Sequence, residues 1–229
     1  MKTAVITGGS GAIGSALVAE FSAEYRVIFT YSKNKNKAEE IAKKHGAEAV
    51  QCDISSENDI KKLCRMTDSC DLLINNAGVS RIGLFTDMSD SAINNIIGID
   101  LIGAMIVTKA LLPLMITRRN GCIINISSIW GIYGASCEVA YSTAKAGLIG
   151  FTKALAKEVG PSGIRVNCIA PGLIDSEMNA HLSPEELKDF VNGTSLCRMG
   201  KPYDVAQAAR YLSQADFVTG HILGVDGGF

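Results

Sequence analysis

Residues 125–145 read NISSIWGIYGASCEVAYSTAK, and the way this stretch opens and closes sets the fold. It leaves an apolar run, Cys122-Ile123-Ile124-Asn125-Ile126, bounded by Gly121 and a serine pair, which reads as a buried strand. It ends in a helix, where Tyr141 and Lys145 lie four apart and so stand one above the other on one face. Ser128 falls at the strand's carboxyl end, where parallel sheets place their chemistry. A phenol beside an ammonium is expected to ionise below its usual value of about 10, because the positive charge favours phenolate. Such a tyrosine exchanges a proton with a substrate oxygen near neutral pH, and a neighbouring serine hydroxyl can hold that oxygen.

A tyrosine four residues before a lysine carries little by itself. Tyr31 and Lys35 repeat the spacing with no strand-end serine ahead of them. What sets the second pair apart is Ser128, thirteen residues before Tyr141, and the order of the segments upstream.

Upstream, Lys2–Thr7 is a short apolar strand running into Gly8-Gly9-Ser10-Gly11-Ala12-Ile13-Gly14, with a helix expected over Ala16–Phe21. Strand, glycine turn and helix together make a cradle for a dinucleotide phosphate. Glycines admit the backbone to a pyrophosphate, and a helix N-terminus offers free N–H groups and partial positive charge. A glycine-rich turn in any strand–helix unit is the plainer reading. A second strand, Arg26–Tyr31, leads into Ser32-Lys33-Asn34-Lys35-Asn36-Lys37 at a helix start. NAD-binding units carry an acid near this point for the ribose 2′-hydroxyl, but no acid occurs here until Glu39. Three lysines at a helix start oppose the macrodipole, so an anion would relieve them. Ser32 and Lys33 therefore read as contacts to the 2′-phosphate of NADP(H), against a merely solvated basic helix start. A third strand, Glu48–Cys52, brings Asp53 near the adenine edge, and a fourth, Leu72–Ile74, ends in Asn75-Asn76-Ala77-Gly78.

At this point the chain resembles the short-chain dehydrogenase/reductase family across essentially its whole length. TGGSGAIG follows the family's TGxxxGxG loop at Thr7, Gly8 and Gly14, and Asn75–Gly78 is its NNAG. Ser128, Tyr141 and Lys145 fall on its catalytic positions, and Pro171-Gly172 on the loop covering the nicotinamide. The resemblance implies a single doubly wound, Rossmann-like α/β domain over residues 1–229, with seven parallel strands and helices on both faces. It places Gly8, Ser10, Gly11, Ile13, Gly14, Asn76, Ala77 and Gly78 around the cofactor, with Tyr141 and Lys145 on its nicotinamide side. It also gives Ile174 backbone contacts to the nicotinamide amide and Ser176 a hydroxyl for the phosphates. Two departures stand out. Ala12 replaces the loop's second glycine, and Asp100 stands where the family usually has an Asn serving a water relay to the lysine.

Composition narrows the rest. A chain of 229 residues suits one α/β domain, and a net charge of −1 gives no footprint for nucleic acid or an anionic membrane. The apolar helix Leu101–Met115 reads as too short for a bilayer and interrupted by Lys109 and Pro113. Seven scattered cysteines and three isolated histidines argue against a disulfide framework or metal site; with no signal-peptide pattern, they point to a reducing cytoplasm. Residues 99–115 and 140–156 are apolar on more than one face, so each is expected to meet another subunit as well as the sheet. By resemblance these helices pair in homodimers, often within homotetramers. Ser183-Pro184-Glu185-Glu186 is a capping box, placing a lid helix at Pro184–Val191.

The expected activity is NADPH-dependent reduction of a ketone. The overall pattern, especially the segment from Tyr141 to Gly172, most resembles 3-oxoacyl-acyl-carrier-protein reductases, whose carrier docks on two arginines. Arg119 matches one of these and Ser162 stands at the other. Ser127–Ser142 instead resembles reductases of the 5-aminopentanone group on elongation factor P, with Glu138 placed to meet an ammonium. A nucleotide-binding scaffold without chemistry is the third expectation, opposed by the presence of both Tyr141 and Lys145.

Overall fold

The computed structural model describes residues 1–180 and 182–229. The apolar runs become strands β1 (Lys2–Ile6), β2 (Tyr25–Tyr31), β3 (Glu48–Gln51), β4 (Leu72–Asn75), β5 (Gly121–Ile126), β6 (Ile164–Pro171) and β7 (Ile222–Val225). All pair in parallel in one sheet ordered β3-β2-β1-β4-β5-β6-β7. The winding reverses between β1 and β4, which opens a crevice above their carboxyl ends.

Successive side chains of a strand point to opposite faces, and here both faces are covered. Ala4 and Ile6 of β1, Ile74 of β4 and Ile124 of β5 pack under α1 (Ala12–Phe21), α2 (Lys35–His45) and α9 (Pro202–Gln214). Val5, Leu73 and Ile123 point the other way, against α3 (Glu57–Met66), α5 (Ala104–Arg118) and α7 (Val139–Val159). Ion pairs from Arg210 of α9 to Glu20 and to Glu24 tie α9 to the α1 side. Short α6 (Trp130–Tyr133) follows β5, and α8 (Pro184–Asn192) has the expected capping box, with Ser183 and Glu186 bonding reciprocally.

Two expectations about helices need correction. The first helix starts at Ala12 rather than Ala16, so the last residues of the glycine motif form its first turn. The helix around Leu101 is also longer than expected. Helix α4 (Asp90–Ile97), a π-helical turn (Gly98–Gly103) and α5 run on without a break from Asp90 to Arg118. Its 29 residues are long and apolar enough to cross a membrane, so brevity is no argument against it. Its placement is what counts: Val107, Leu111 and Met115 are wholly buried against the sheet. Pro113 lies inside α5 without ending it. It is on the exposed side, where water can take the carbonyl that loses its N–H partner.

Candidate active site

Ser128 lies two residues beyond the end of β5, and its Oγ accepts the Trp130 N–H at 3.1 Å. Tyr141 and Lys145 project from the first turns of α7, and all three side chains are buried. The Ser128 hydroxyl is near enough to the Tyr141 phenol to draw its pKa down. Lys145 Nζ stands 5.5 Å from the centre of the Tyr141 ring and donates to the Ile126 carbonyl at 3.1 Å. Ser127 Oγ donates to the Lys145 carbonyl at 2.9 Å, fixing α7 to the strand end. The decoy comes apart: Tyr31 ends β2 in the core, while Lys35 begins α2.

The phenol does not behave as expected. Burial pushes the Tyr141 pKa above its ordinary value, and Lys145 and the Ser128 hydroxyl, which pull it down, do not cancel that push. Sequence spacing reports the neighbouring charge and not the loss of water. Tyr141 is therefore a phenol that keeps its proton, suited to donation.

The residues present fit a nicotinamide dinucleotide. Helix α1 begins with Gly11 as N-cap, no side-chain cap and no acid in its first turn, so its N–H groups are left for an anion. Gly14 is sterically required, because a Cβ would stand 2.1 Å from the Gly8 carbonyl oxygen. Gly8 has φ +68° and lies against Ala77. The two cofactor motifs are thus one piece. Thr7 Oγ1 accepts the N–H groups of Asn76 and Ala77, while Asn76 Nδ2 donates to the carbonyls of Thr7 and Gly8. Ser10, Gly11 and Ile13 keep some exposure on the crevice side of this block.

The remaining expected contacts ring the crevice. Ser32 and Lys33 are exposed beyond β2. Lys35 and Lys37 pair with Glu39 and Glu177, whereas Lys33 makes no ion pair among the described residues. Asp53 lies beyond β3, but its Oδ1 is taken by the Ser55 N–H and hydroxyl. Pro171 ends β6, and Gly172 packs so tightly on Asp226 that a Cβ would stand 2.8 Å from its Cα. The Ile174 carbonyl accepts Asn179 Nδ2 at 2.7 Å. Ser176 heads the short turn Glu177–Asn179. Gly78 lies against the side chains of Asp100 and Lys145.

Over the substrate side, Trp130 packs with the cluster holding Tyr141 and Ala144. Its ring meets Phe190 of α8 edge-on at 5.7 Å and Phe229 at 5.6 Å, and Phe190 stacks on Phe229 at 5.1 Å. The lid helix is thereby held to the segment after Ser128. Glu138, just before α7, accepts the Ser80 hydroxyl at 2.5 Å and lies close enough to Tyr141 to raise its pKa. Arg119 lies elsewhere. It caps α5 before β5 begins, with Nη2 on the Pro161 carbonyl at 3.1 Å. Strand β5 is six residues long, so Arg119 is about 20 Å from Ser128 along the strand direction. The site entrance is therefore not where Arg119 stands.

A family model described as enoyl-(acyl carrier protein) reductase matches residues 9–229. Among curated proteins, the uncharacterized oxidoreductase YmfI of Bacillus subtilis is 38% identical over 238 residues, covering 100% of this chain and 98% of its own. The 3-oxoacyl-[acyl-carrier-protein] reductase FabG of Aquifex aeolicus is 40% identical over 239 residues, with 99% and 96% covered. Carbonyl reductase family member 4 of Xenopus laevis is 36% identical over 232 residues, with 99% and 97% covered. The chain belongs to the short-chain dehydrogenase/reductase family. It is accordingly an oxidoreductase, of a family that binds a nicotinamide dinucleotide.

In this short-chain reductase further polar groups lie beneath the site. A buried polar chain crosses the sheet beneath the site. Asn75 Nδ2 donates to Thr108 Oγ1 and Asn125 Oδ1, Asn125 Nδ2 donates to Thr152 Oγ1, and Thr152 donates to the Leu148 carbonyl. It joins β4 and β5 to α5 and α7. The visible signal was an asparagine at the end of each of two apolar strands, which a solvated edge would also give. Asp100, left outside the expected catalytic set, comes within 3.1 Å of Lys145 Nζ.

Proposed function

We propose that the protein is an NADPH-dependent ketone reductase acting on 3-oxoacyl groups carried by an acyl-carrier protein, in the cytoplasm. The convergence of Ser128, Tyr141 and Lys145 beside the dinucleotide crevice carries this reading. When bound, the reduced nicotinamide supplies a hydride to the carbonyl carbon. The hydroxyls of Ser128 and Tyr141 hold the carbonyl oxygen between them. Tyr141 gives that oxygen its proton, and the Lys145 ammonium stabilises the phenolate left behind. The preference for the phosphorylated cofactor is supported by exposed Ser32 and Lys33 and by the lack of an acid at the end of β2. The protein assembles as a homodimer or homotetramer through α5 and α7. Arg119 then serves a carrier docked at the neighbouring protomer's site.

A second reading is favoured by one observation. The Glu138 carboxylate, anchored by Ser80 next to Tyr141, suits a ketone with a nearby ammonium, such as an aminopentanone group on elongation factor P. NADPH oxidation with a carrier-linked 3-oxoacyl thioester, an enoyl thioester and an aminopentanone-modified protein separates the readings. The first is expected to turn over, and Tyr141→Phe should slow it by ~100-fold or more while NADPH still binds. Turnover confined to the enoyl thioester sinks the ketone reading. Turnover confined to the aminoketone, with loss in Glu138→Gln, replaces the acyl-carrier substrate with the second.

A further inference from the structure

Asp100 is the buried charge that the Ser–Tyr–Lys scheme leaves unused. It is 1% exposed and sits in the π-helical turn Gly98–Gly103, a widening common at functional sites. Its Oδ1 accepts the Val79 N–H at 2.8 Å. Its Oδ2 lies 3.1 Å from Lys145 Nζ as an ion pair. Gly78 gives the pair its room, because a Cβ there would stand 2.7 Å from Asp100 Oδ2 and 3.1 Å from Lys145 Nζ. The groups facing Lys145 are Asp100, Tyr141 and the Cys168 thiol; those facing Tyr141 are Lys145, Asp100, Ser128 and Glu138. Of the two carboxylates, Glu138 is partly exposed and Asp100 is not. Away from water a charge acts with little screening.

We propose that Asp100 is a positioning residue that anchors the Lys145 ammonium and keeps the Tyr141 phenol protonated, so that the site stays loaded as a proton donor above neutral pH. The proposal rests on the reading of the protein as a carbonyl reductase in which Tyr141 supplies the proton. The signs agree. Burial pulls the Lys145 pKa down, but Asp100 and Tyr141 bring it above its usual value. Burial also pushes Tyr141 up, and Asp100 adds to the push. An amide in place of the carboxylate keeps an oxygen for Val79 and removes the charge. Both groups should then lose their protons at lower pH.

Asp100→Asn tests this in two ways. The alkaline limb of kcat/KM for ketone reduction, which reports the free enzyme, should move down by about one pH unit, the low end for loss of a nearby charge. Ultraviolet titration of tyrosinate, with the Tyr141→Phe signal subtracted, should show the same downward move without substrate. A midpoint that stays or rises overturns the proposal, even if the variant is slower or less stable, since a purely structural role leaves the titration in place. Asp100→Ser, which also removes the charge, gives the same reading if the Asn variant does not fold. Should no ketone be reduced, the proposed function fails, while the optical titration still decides the role of Asp100.

Discussion

At the scale of single residues, the proposed preference for NADPH turns on the cation beyond β2. Lys33 is exposed and has no carboxylate partner among the described residues, whereas Lys35 and Lys37 each have one. Lys33→Ala is expected to weaken NADPH about tenfold and leave NADH within twofold, as removal of one charged contact to a phosphate would. Titration of both cofactors by calorimetry checks this, and equal weakening ends the assignment. Much of the site was legible at this scale because its signals are local. Ser128, Tyr141 and Lys145 are set by a strand end and one helix turn. The direction of the Tyr141 pKa was not legible, since burial comes from Ile96, Ala140 and Ala144 packing around it. Asp100 was tied to Lys145 only through the water relay that the resemblance implies, and their direct ion pair depends on a π turn that no 3.6-residue periodicity announces.

At the scale of elements, seven strands and the capped lid helix follow from apolar runs and from Ser183-Pro184-Glu185-Glu186. The length of the helix through Leu101 does not, because Lys109 and Pro113 read as interruptions. Tertiary packing overrides them: Ile96 fixes one end and Met115 the other. Helix α8 depends on fewer contacts. None of its side chains is fully buried, and Phe190 is its link to Trp130 and Phe229. Phe190→Ala should therefore cost ~1 kcal/mol or less in global stability while loosening α8. Hydrogen exchange in residues 184–192 should quicken and KM should rise several-fold with kcat little changed. Unaltered exchange there would falsify the lid assignment.

At the scale of the whole molecule, the outer side of the helix from Asp90 to Arg118 exposes Ile102, Met105, Ile106 and Ile116. On α7 the exposed positions include Ala146, Gly150 and Ala154, small enough for another helix to approach closely. A soluble protein seldom leaves such a surface in water. Sedimentation at micromolar concentration should give a dimer or tetramer, and Ile102→Glu with Ile106→Glu should give a folded monomer. The proposed docking of a carrier on Arg119 across that contact predicts that activity on a carrier-linked substrate falls further than activity on a small thioester. A double variant that still sediments as an oligomer places the interface elsewhere.

Trp130 is the chain's one tryptophan, and it stands between the lid ring Phe190 and the cluster that holds Tyr141. All indole emission from this protein therefore originates within one side chain's reach of the reacting groups. Movement of α8 changes the polarity around that ring, and a reduced nicotinamide absorbs where indole emits. Lid position and cofactor occupancy can thus be followed as colour and brightness in the unlabelled protein.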